Sequence, residues 1–432
     1  MPVGQIECSP EPVAGLRLAA AAAGIRYSGR DDVALIECSP EPVLGIRLAA
    51  AAGGIRYSGR DDIALIECSV NTTAASIFTK NQFKAAPVLL AQANLEKASP
   101  RYLLINSGNA NAATGDMGFA DAVASTEIVA EHAQVRPEEV LPFSTGVIGE
   151  RLPTEPFEQV MPALVNQLAP GNLLSAAREI MTTDTVPKLM SRKLEVGGEI
   201  VTITGMAKGA GMIQPNMATM LCFIATDAQL SRSQMQDLLQ EAADSSLNRV
   251  TVDSDTSTND ACVLLATGES RVSIHQGSPE ESEFQDVLTD LMINLAQALV
   301  RDGEGATKFV TVNVEGAESQ VAALEVAYSV ANSPLVKTAV FAEDANWGRI
   351  VMAIGNVESK LDPNSVDLFI NDVCLLEAGL KHPDYEEASG EAAMRPEDIE
   401  IRVVLNQGEY DETVWTSDLS HEYVTINAEY RT

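Results

Sequence analysis

Cations are what this sequence is short of. Lysine and arginine together number 29 against 61 aspartates and glutamates, a net charge of −32. So acidic a surface repels phosphate backbones and anionic lipid heads, which disfavours nucleic-acid and membrane-surface binding. No apolar run approaches the roughly 18 residues that a spanning helix needs. Residues 18–23 follow Arg17, but Glu7 and Glu11 lie upstream, the wrong charge for a secretory leader. The six cysteines (Cys8, Cys38, Cys68, Cys222, Cys262, Cys374) include no CxxC pair and no zinc-like spacing. Scattered reduced thiols of a cytoplasmic protein, with no metal site, are the expectation. Histidines number four, and G-x-S-x-G is absent. The grouping of Asp418, Ser420 and His421 therefore predicts a structural histidine rather than a catalytic triad.

What the chain does have is length, repetition and glycine. At 432 residues it is too long for one small core, and two domains are expected. Residues 6–35 and 36–65 are tandem copies differing only at Ala14/Leu44, Leu16/Ile46, Ala23/Gly53 and Val33/Ile63, and a third copy breaks off at Val70. Solenoids need about three repeats or more to bury a core, so this is not one. Only one copy can run on into Val70; the other is expected to hang from the domain as a hairpin or an extension without a catalytic role. From residue 63 onward strands and helices alternate. Met235, Leu238, Leu239 and Ala242 share a helix face behind a cap at Ser231 or Ser233, and a long helix starts near Ser278. After residue 303 the apolar period falls to two, with Val310, Val312 and Val314 on one strand face. The expected organisation is a duplicated segment over 1–65 whose second copy joins the domain, a catalytic domain over 54–302, and a smaller α+β domain over 303–432.

Residues 205–221, GMAKGAGMIQPNMATML, put small residues, one cation and a threonine into a mid-chain loop before an apolar run. Lys208 and its glycines lack the GxxxxGK[ST] phosphate loop. The acidic turn 253–260 lacks the glycine and the final glutamate of a calcium loop. A threonine hydroxyl is a weak nucleophile without a base beside it. Cutting the chain between Ala218 and Thr219 would supply that base as a free α-amine, whose reference pKa of about 7.7–8.0 lies far below the roughly 10.4 of lysine. Taken alone, these residues equally describe a threonine at the entry to a strand.

Seven stretches decide between the two. TTDTVPK (182–188), residues 205–228, STNDACVLLATG (257–268), NSGNANAATG (106–115), STGVIGE (144–150), SPLVKTAVFAEDANWGRI (333–350) and DLSHEYVTINAEYRT (418–432) resemble the ornithine acetyltransferase (glutamate N-acetyltransferase, ArgJ) family. The resemblance implies an α+β fold, a layered α/β/β/α sandwich of the self-cleaving ArgJ/DmpA-like type. It implies a precursor that cuts itself at Ala218–Thr219 into an α chain (1–218) and a β chain (219–432), assembled as α2β2. Thr219 would then carry the acetyl group of N2-acetylornithine to glutamate. The Thr145 hydroxyl and the Gly146 N–H would form the oxyanion hole. Thr182, Lys208, Thr219, Glu304, Asn427 and Thr432 would contact substrate. No metal or bound cofactor is implied, and acetyl-CoA enters only as a second acetyl donor. A self-cleaving aminopeptidase or amidase with the same nucleophile is the alternative. Ala113, Ala342 and Ala345 depart from the family pattern at positions away from these groups.

Overall fold

A computed structural model describes residues 16–21, 33–38, 40–56, 59, 61–214 and 220–429, the side chains of 16–21 and 33–38 excepted. Two sheets lie face to face. One has four strands, in the order Ile46–Ala51, Ile63–Cys68, Tyr102–Asn106, Val140–Ser144. The other has five, in the order Thr73–Phe78, Ala261–Ala266, Leu221–Thr226, Glu199–Lys208, Lys188–Val196. Strand alternation assigns each residue a layer. Ala64, Ile66, Leu103, Ile105, Leu141 and Phe143 point inward and meet Met206, Leu221, Phe223, Val263 and Leu265 of the facing sheet. Phe143 and Phe223 cross that interface edge to face, centroids 5.0 Å apart. The neighbours one residue away point outward. Ile63, Leu65 and Leu104 lie under helices Gly115–Ala133 and Glu155–Asn166. Cys222, Ile224, Cys262 and Leu264 lie under helices Arg232–Asp244 and Pro279–Arg301. The layers therefore run α/β/β/α, the fold class the resemblance implied.

Local chemistry starts these helices where the sequence predicts. Ser231 accepts from the Gln234 N–H while the Gln234 side chain accepts from the Ser231 N–H, a closed capping box. Ser278 caps the long helix, with Pro279 at its first position. That helix ends at Arg301, and strand Phe309–Ala317 then enters a seven-stranded sheet with its own core of Val310, Val312, Val314, Ile401 and Val414. The stretch either side of the acidic turn 253–260 divides between sheets. Val250–Thr251 pairs with Tyr410–Ser417 of the seven-stranded sheet, whereas Ala261–Ala266 lies inside the five-stranded one. The turn therefore passes from one sheet to the other.

Both repeats form hairpins in the same register. Leu16–Ala21 pairs with Val33–Cys38 from Leu16↔Cys38 to Ala21↔Val33, and Ile46–Ala51 pairs with Ile63–Cys68 from Ile46↔Cys68 to Ala51↔Ile63. The first hairpin is a two-stranded sheet of its own; the second is built into the four-stranded sheet. In the second, the Asp62 carboxylate accepts from the N–H groups of Gly53, Gly54 and Ile55. A Cβ on Gly53 would lie 2.5 Å from Cδ1 of the fully buried Ile63. The first copy has Ala23 in place of that glycine and Val33, which has no Cδ1, in place of that isoleucine. Two of the four differences between the copies thus compensate each other in volume. Gly53→Ala is expected to cost about 1–3 kcal/mol through overpacking. In combination with Ile63→Val the cost should fall well below the sum of the two single effects, a coupling of about 1 kcal/mol in urea unfolding. Simple additivity would show that the two differences are unrelated.

Candidate active site

Four separate stretches meet where strand Glu199–Lys208 ends. Its last residue, Lys208, pairs with Leu221 at the start of the next strand. Lys208 is 2% exposed, and its ammonium donates to Thr145 Oγ1 at 3.0 Å and Thr182 Oγ1 at 2.9 Å. Burial pulls its pKa down; the carboxylates of Asp184, Asp260 and Glu304 pull against that, and Lys188 adds to the lowering.

Thr145 follows strand Val140–Ser144 in a loop that only glycine completes. Gly146 has φ +131°, and a Cβ there would sit 2.3 Å from the carbonyl carbon of Gly108. The Thr145 N–H donates to Asn106 O, and the Val147 N–H to Gly108 O. Asn259 fastens this loop from the other sheet, its amide donating to Ala110 O at 2.7 Å and Ser144 O at 2.8 Å.

Below Lys208 lies a chain of buried charges. Asp184 accepts from the N–H of Thr182 at 3.0 Å, from that of Gly209 at 2.6 Å and from Lys188 Nζ at 2.7 Å. Lys188 Nζ also donates to Asp302 Oδ2 at 2.7 Å. Burial by itself would raise the Asp184 pKa, but Lys188, Lys208 and the Gly209 N–H together hold it below the ordinary carboxylate range. On the far wall, the Glu304 N–H donates to Ala210 O, and its carboxylate accepts from the Asn427 amide at 2.8 Å. Gly211 permits this approach, since a Cβ there would lie 2.6 Å from the Glu304 carboxyl carbon.

Thr145, Gly146, Thr182, Lys208, Glu304 and Asn427 accordingly line one cleft, together with Ala110, Ile148 and Asn259. Ala218, Thr219 and Thr432 lie outside the described residues. The rejected triad stays apart. The Asp418 carboxylate accepts from Thr307 and Lys308, the Ser420 hydroxyl donates to Gly305 O, and His421 packs edge-on against Phe341. Sequence reasoning missed Asp184, Lys188, Asp302 and Asn259. The signal was available: an aspartate and a lysine four apart in TTDTVPK, and a second aspartate at the end of an amphipathic helix.

A model of the ArgJ family matches residues 47–432. The chain belongs to the ArgJ family. It is 49% identical over 424 residues to the arginine biosynthesis bifunctional protein ArgJ of Pseudomonas fluorescens, covering 98% of this chain and 97% of that one. It is also 49% identical over 423 residues to the protein of the same name from Methylococcus capsulatus, covering 98% and 96%. Among solved structures, the Bacillus halodurans arginine biosynthesis bifunctional protein ArgJ shares 35% identity, with a TM-score of 0.47 over 48% of this chain and 98% of that one. An ornithine acetyltransferase from Mycobacterium tuberculosis, solved with ornithine, shares 37% identity, with a TM-score of 0.35 over 40% and 92%.

Within this ArgJ chain, the buried charges under the cleft give a direct stability test. Lys188→Met leaves the carboxylates of Asp184 and Asp302 without the cation between them, at an expected cost of about 3–5 kcal/mol. Asp184 has a folded pKa below its unfolded value of about 3.9, so its contribution is full at neutral pH and is lost as pH falls through the folded pKa. The penalty in the variant should be largest near pH 7 and shrink in acid, as read by denaturant unfolding across pH. An equal loss at every pH would assign Lys188 a packing role alone.

Proposed function

We propose that this chain is the arginine-pathway acetyltransferase that moves the acetyl group of N2-acetylornithine to glutamate. In this reading the 432-residue chain is a precursor cut between Ala218 and Thr219, and Thr219 becomes both the N-terminus of the second chain and the nucleophile. The observation that carries it is the convergence of Thr145, Gly146, Thr182, Lys208, Glu304 and Asn427 on one cleft. That cleft adjoins the start of strand Leu221–Thr226, whose first residue is only two positions past Thr219.

Thr219 attacks the acetyl carbonyl while its own amine takes the hydroxyl proton. The tetrahedral oxygen is held by the Thr145 hydroxyl and the Gly146 N–H. Lys208 polarises Thr145 and, with Thr182, meets the α-carboxylate that ornithine and glutamate share. Glu304, held by Asn427, offers its charge to the ornithine ammonium, and Thr432 is a further substrate contact in this reading. Ornithine leaves, glutamate enters, and its amine takes the acetyl group from Thr219 in the second half of a ping-pong exchange. The curated relatives are called bifunctional, and acetyl-CoA is proposed as a second acetyl donor to the same threonine. No metal or bound cofactor takes part. The two fragments remain together as α2β2 in the cytoplasm; among the described residues no helix is long and apolar enough to cross a membrane.

Intact-mass measurement under denaturing conditions is expected to give two fragments meeting at Ala218/Thr219, and one uncut species for Thr219→Ala. With N-acetylornithine and labelled glutamate, wild type should form labelled N-acetylglutamate. Release of acetate without transfer would favour the aminopeptidase-like alternative. A wild-type chain that stays whole would remove the nucleophile altogether. Labelled glutamate with acetyl-CoA alone reports the second activity.

A further inference from the structure

Ser420 closes a ring of hydrogen bonds on one wall of the cleft. It is 5% exposed and stands immediately before helix His421–Glu429. Its hydroxyl donates to Gly305 O at 2.6 Å and accepts from the N–H groups of Glu422 at 3.1 Å and Tyr423 at 3.4 Å. A hydroxyl can donate and accept at once, so this one group caps the helix and ties its first turn to the residue after Glu304. One turn further on, the Asn427 amide donates to Tyr423 O at 3.0 Å and to Glu304 Oε2 at 2.8 Å. The peptide bond from Glu304 to Gly305 completes the ring.

The seat is tight and the helix is lightly held. Gly305 has φ +68°, and a Cβ there would lie 2.4 Å from the Tyr423 nitrogen and 2.8 Å from Ser420 Oγ. No residue of the helix is buried. Apolar packing therefore does little to place it, and its polar contacts decide where Asn427 stands. Outside the ring, the Tyr423 hydroxyl donates to Asp253 Oδ2 at 3.3 Å, and His421 packs edge-on against Phe341. The Glu304 backbone is fixed separately, through its N–H to Ala210 O, and Asp418 holds the loop beyond it by the N–H groups of Thr307 and Lys308. The Glu304 carboxylate is held by Asn427, and so by the ring.

Resting on the reading in which Glu304 meets the ornithine ammonium, we propose that Ser420 is a positioning residue for recognition of the acetyl donor. By closing the ring it keeps the Glu304 carboxylate in the cleft, where the side-chain ammonium of N-acetylornithine arrives. The attraction between two such charges falls with distance and with exposure to water, so a carboxylate free to swing outward loses most of it. Glutamate brings no side-chain ammonium, and its half of the exchange does not sense the ring. Ping-pong order separates the two halves, because kcat/KM for each substrate reports its own half-reaction.

The test is two-substrate kinetics on the cut enzyme for wild type, Ser420→Ala, Glu304→Gln and the double variant. Glu304→Gln keeps an acceptor for the Asn427 amide and removes the charge. Ser420→Ala is expected to lower kcat/KM for N-acetylornithine about tenfold, roughly the worth of one hydrogen bond. It should leave kcat/KM for glutamate within about twofold of wild type. In the Glu304→Gln background the same change should add less than about twofold, since the charge it positions is gone. An unchanged kcat/KM for N-acetylornithine in Ser420→Ala would overturn the proposal. So would an equal loss for both substrates, or the full tenfold loss in the Glu304→Gln background, either of which would leave Ser420 a helix cap alone. A Ser420→Ala chain that stays uncut would overturn it too, by placing the serine in maturation. If Glu304→Gln by itself leaves kcat/KM for N-acetylornithine unchanged, the parent reading of Glu304 falls instead.

Discussion

A lysine ammonium cut off from water must be answered by the protein, and the answer to Lys208 organises this molecule. Its three donors are the reason that Thr145, from one sheet, and Thr182, from the segment leading into the other, stand side by side. Asp184 balances its charge without touching it, by holding the Thr182 N–H and the Gly209 N–H on either side. Because Asp184 is buried too, it requires Lys188, and Lys188 in turn is shared with Asp302 at the end of the long helix. Charge compensation therefore runs from the cleft floor through the five-stranded sheet to the helix that precedes Glu304. A buried ion pair adds little net stability over an apolar core, but breaking one is expensive. Such a relay fixes positions more than it adds to the free energy of folding.

The cleft's second constraint is geometric. Gly146 leaves no room for a side chain, and the loop around it is tied to its own sheet by Asn106 and Gly108 and to the facing sheet by Asn259. The Phe143–Phe223 contact sets the spacing of the two sheets one layer below. Pairing Leu221 with Lys208 on one side and with Ala261 on the other then leaves little freedom in where the chain enters its strand. The start of strand Leu221–Thr226 is thus fixed beside Lys208 by sheet register rather than by the composition of the glycine-rich loop.

How much of this could be read from the sequence depends on the range of the interaction. Helix starts at Ser231 and Ser278 were legible because a cap needs only neighbours within one turn. The hairpin joining Lys188–Val196 to Glu199–Lys208 went unread, although Gly197-Gly198, both at positive φ, is the turn signal for it. Asp184, Lys188 and Asp302 went unread for a different reason, since the local signal does not say that the three meet. The two aspartates are 118 positions apart in the chain, and charged side chains in loops are ordinarily read as solvated. The six cleft residues came from resemblance, since no periodicity links position 145 to position 427. The acidic turn 253–260 lacks the pattern of a calcium loop, and its part in joining two sheets depends on pairings that no local pattern encodes.

The repeat shows how far sequence pattern alone determines a strand's place. A strand inside a sheet is specified by pattern and register, and a one-residue slip would move every side chain to the wrong face. A full 30-residue copy avoids that, because it repeats pattern, turn and register together, and the first hairpin pairs in the same way as the second. The copies differ in the chain to which each is joined. Only Ile63–Cys68 continues directly through the short turn at Asn71 into Thr73–Phe78, the edge strand of the facing sheet. Position in the chain, rather than sequence quality, therefore selects which hairpin is built in. In the hairpin that is built in, Gly53 leaves the room that the buried Ile63 fills.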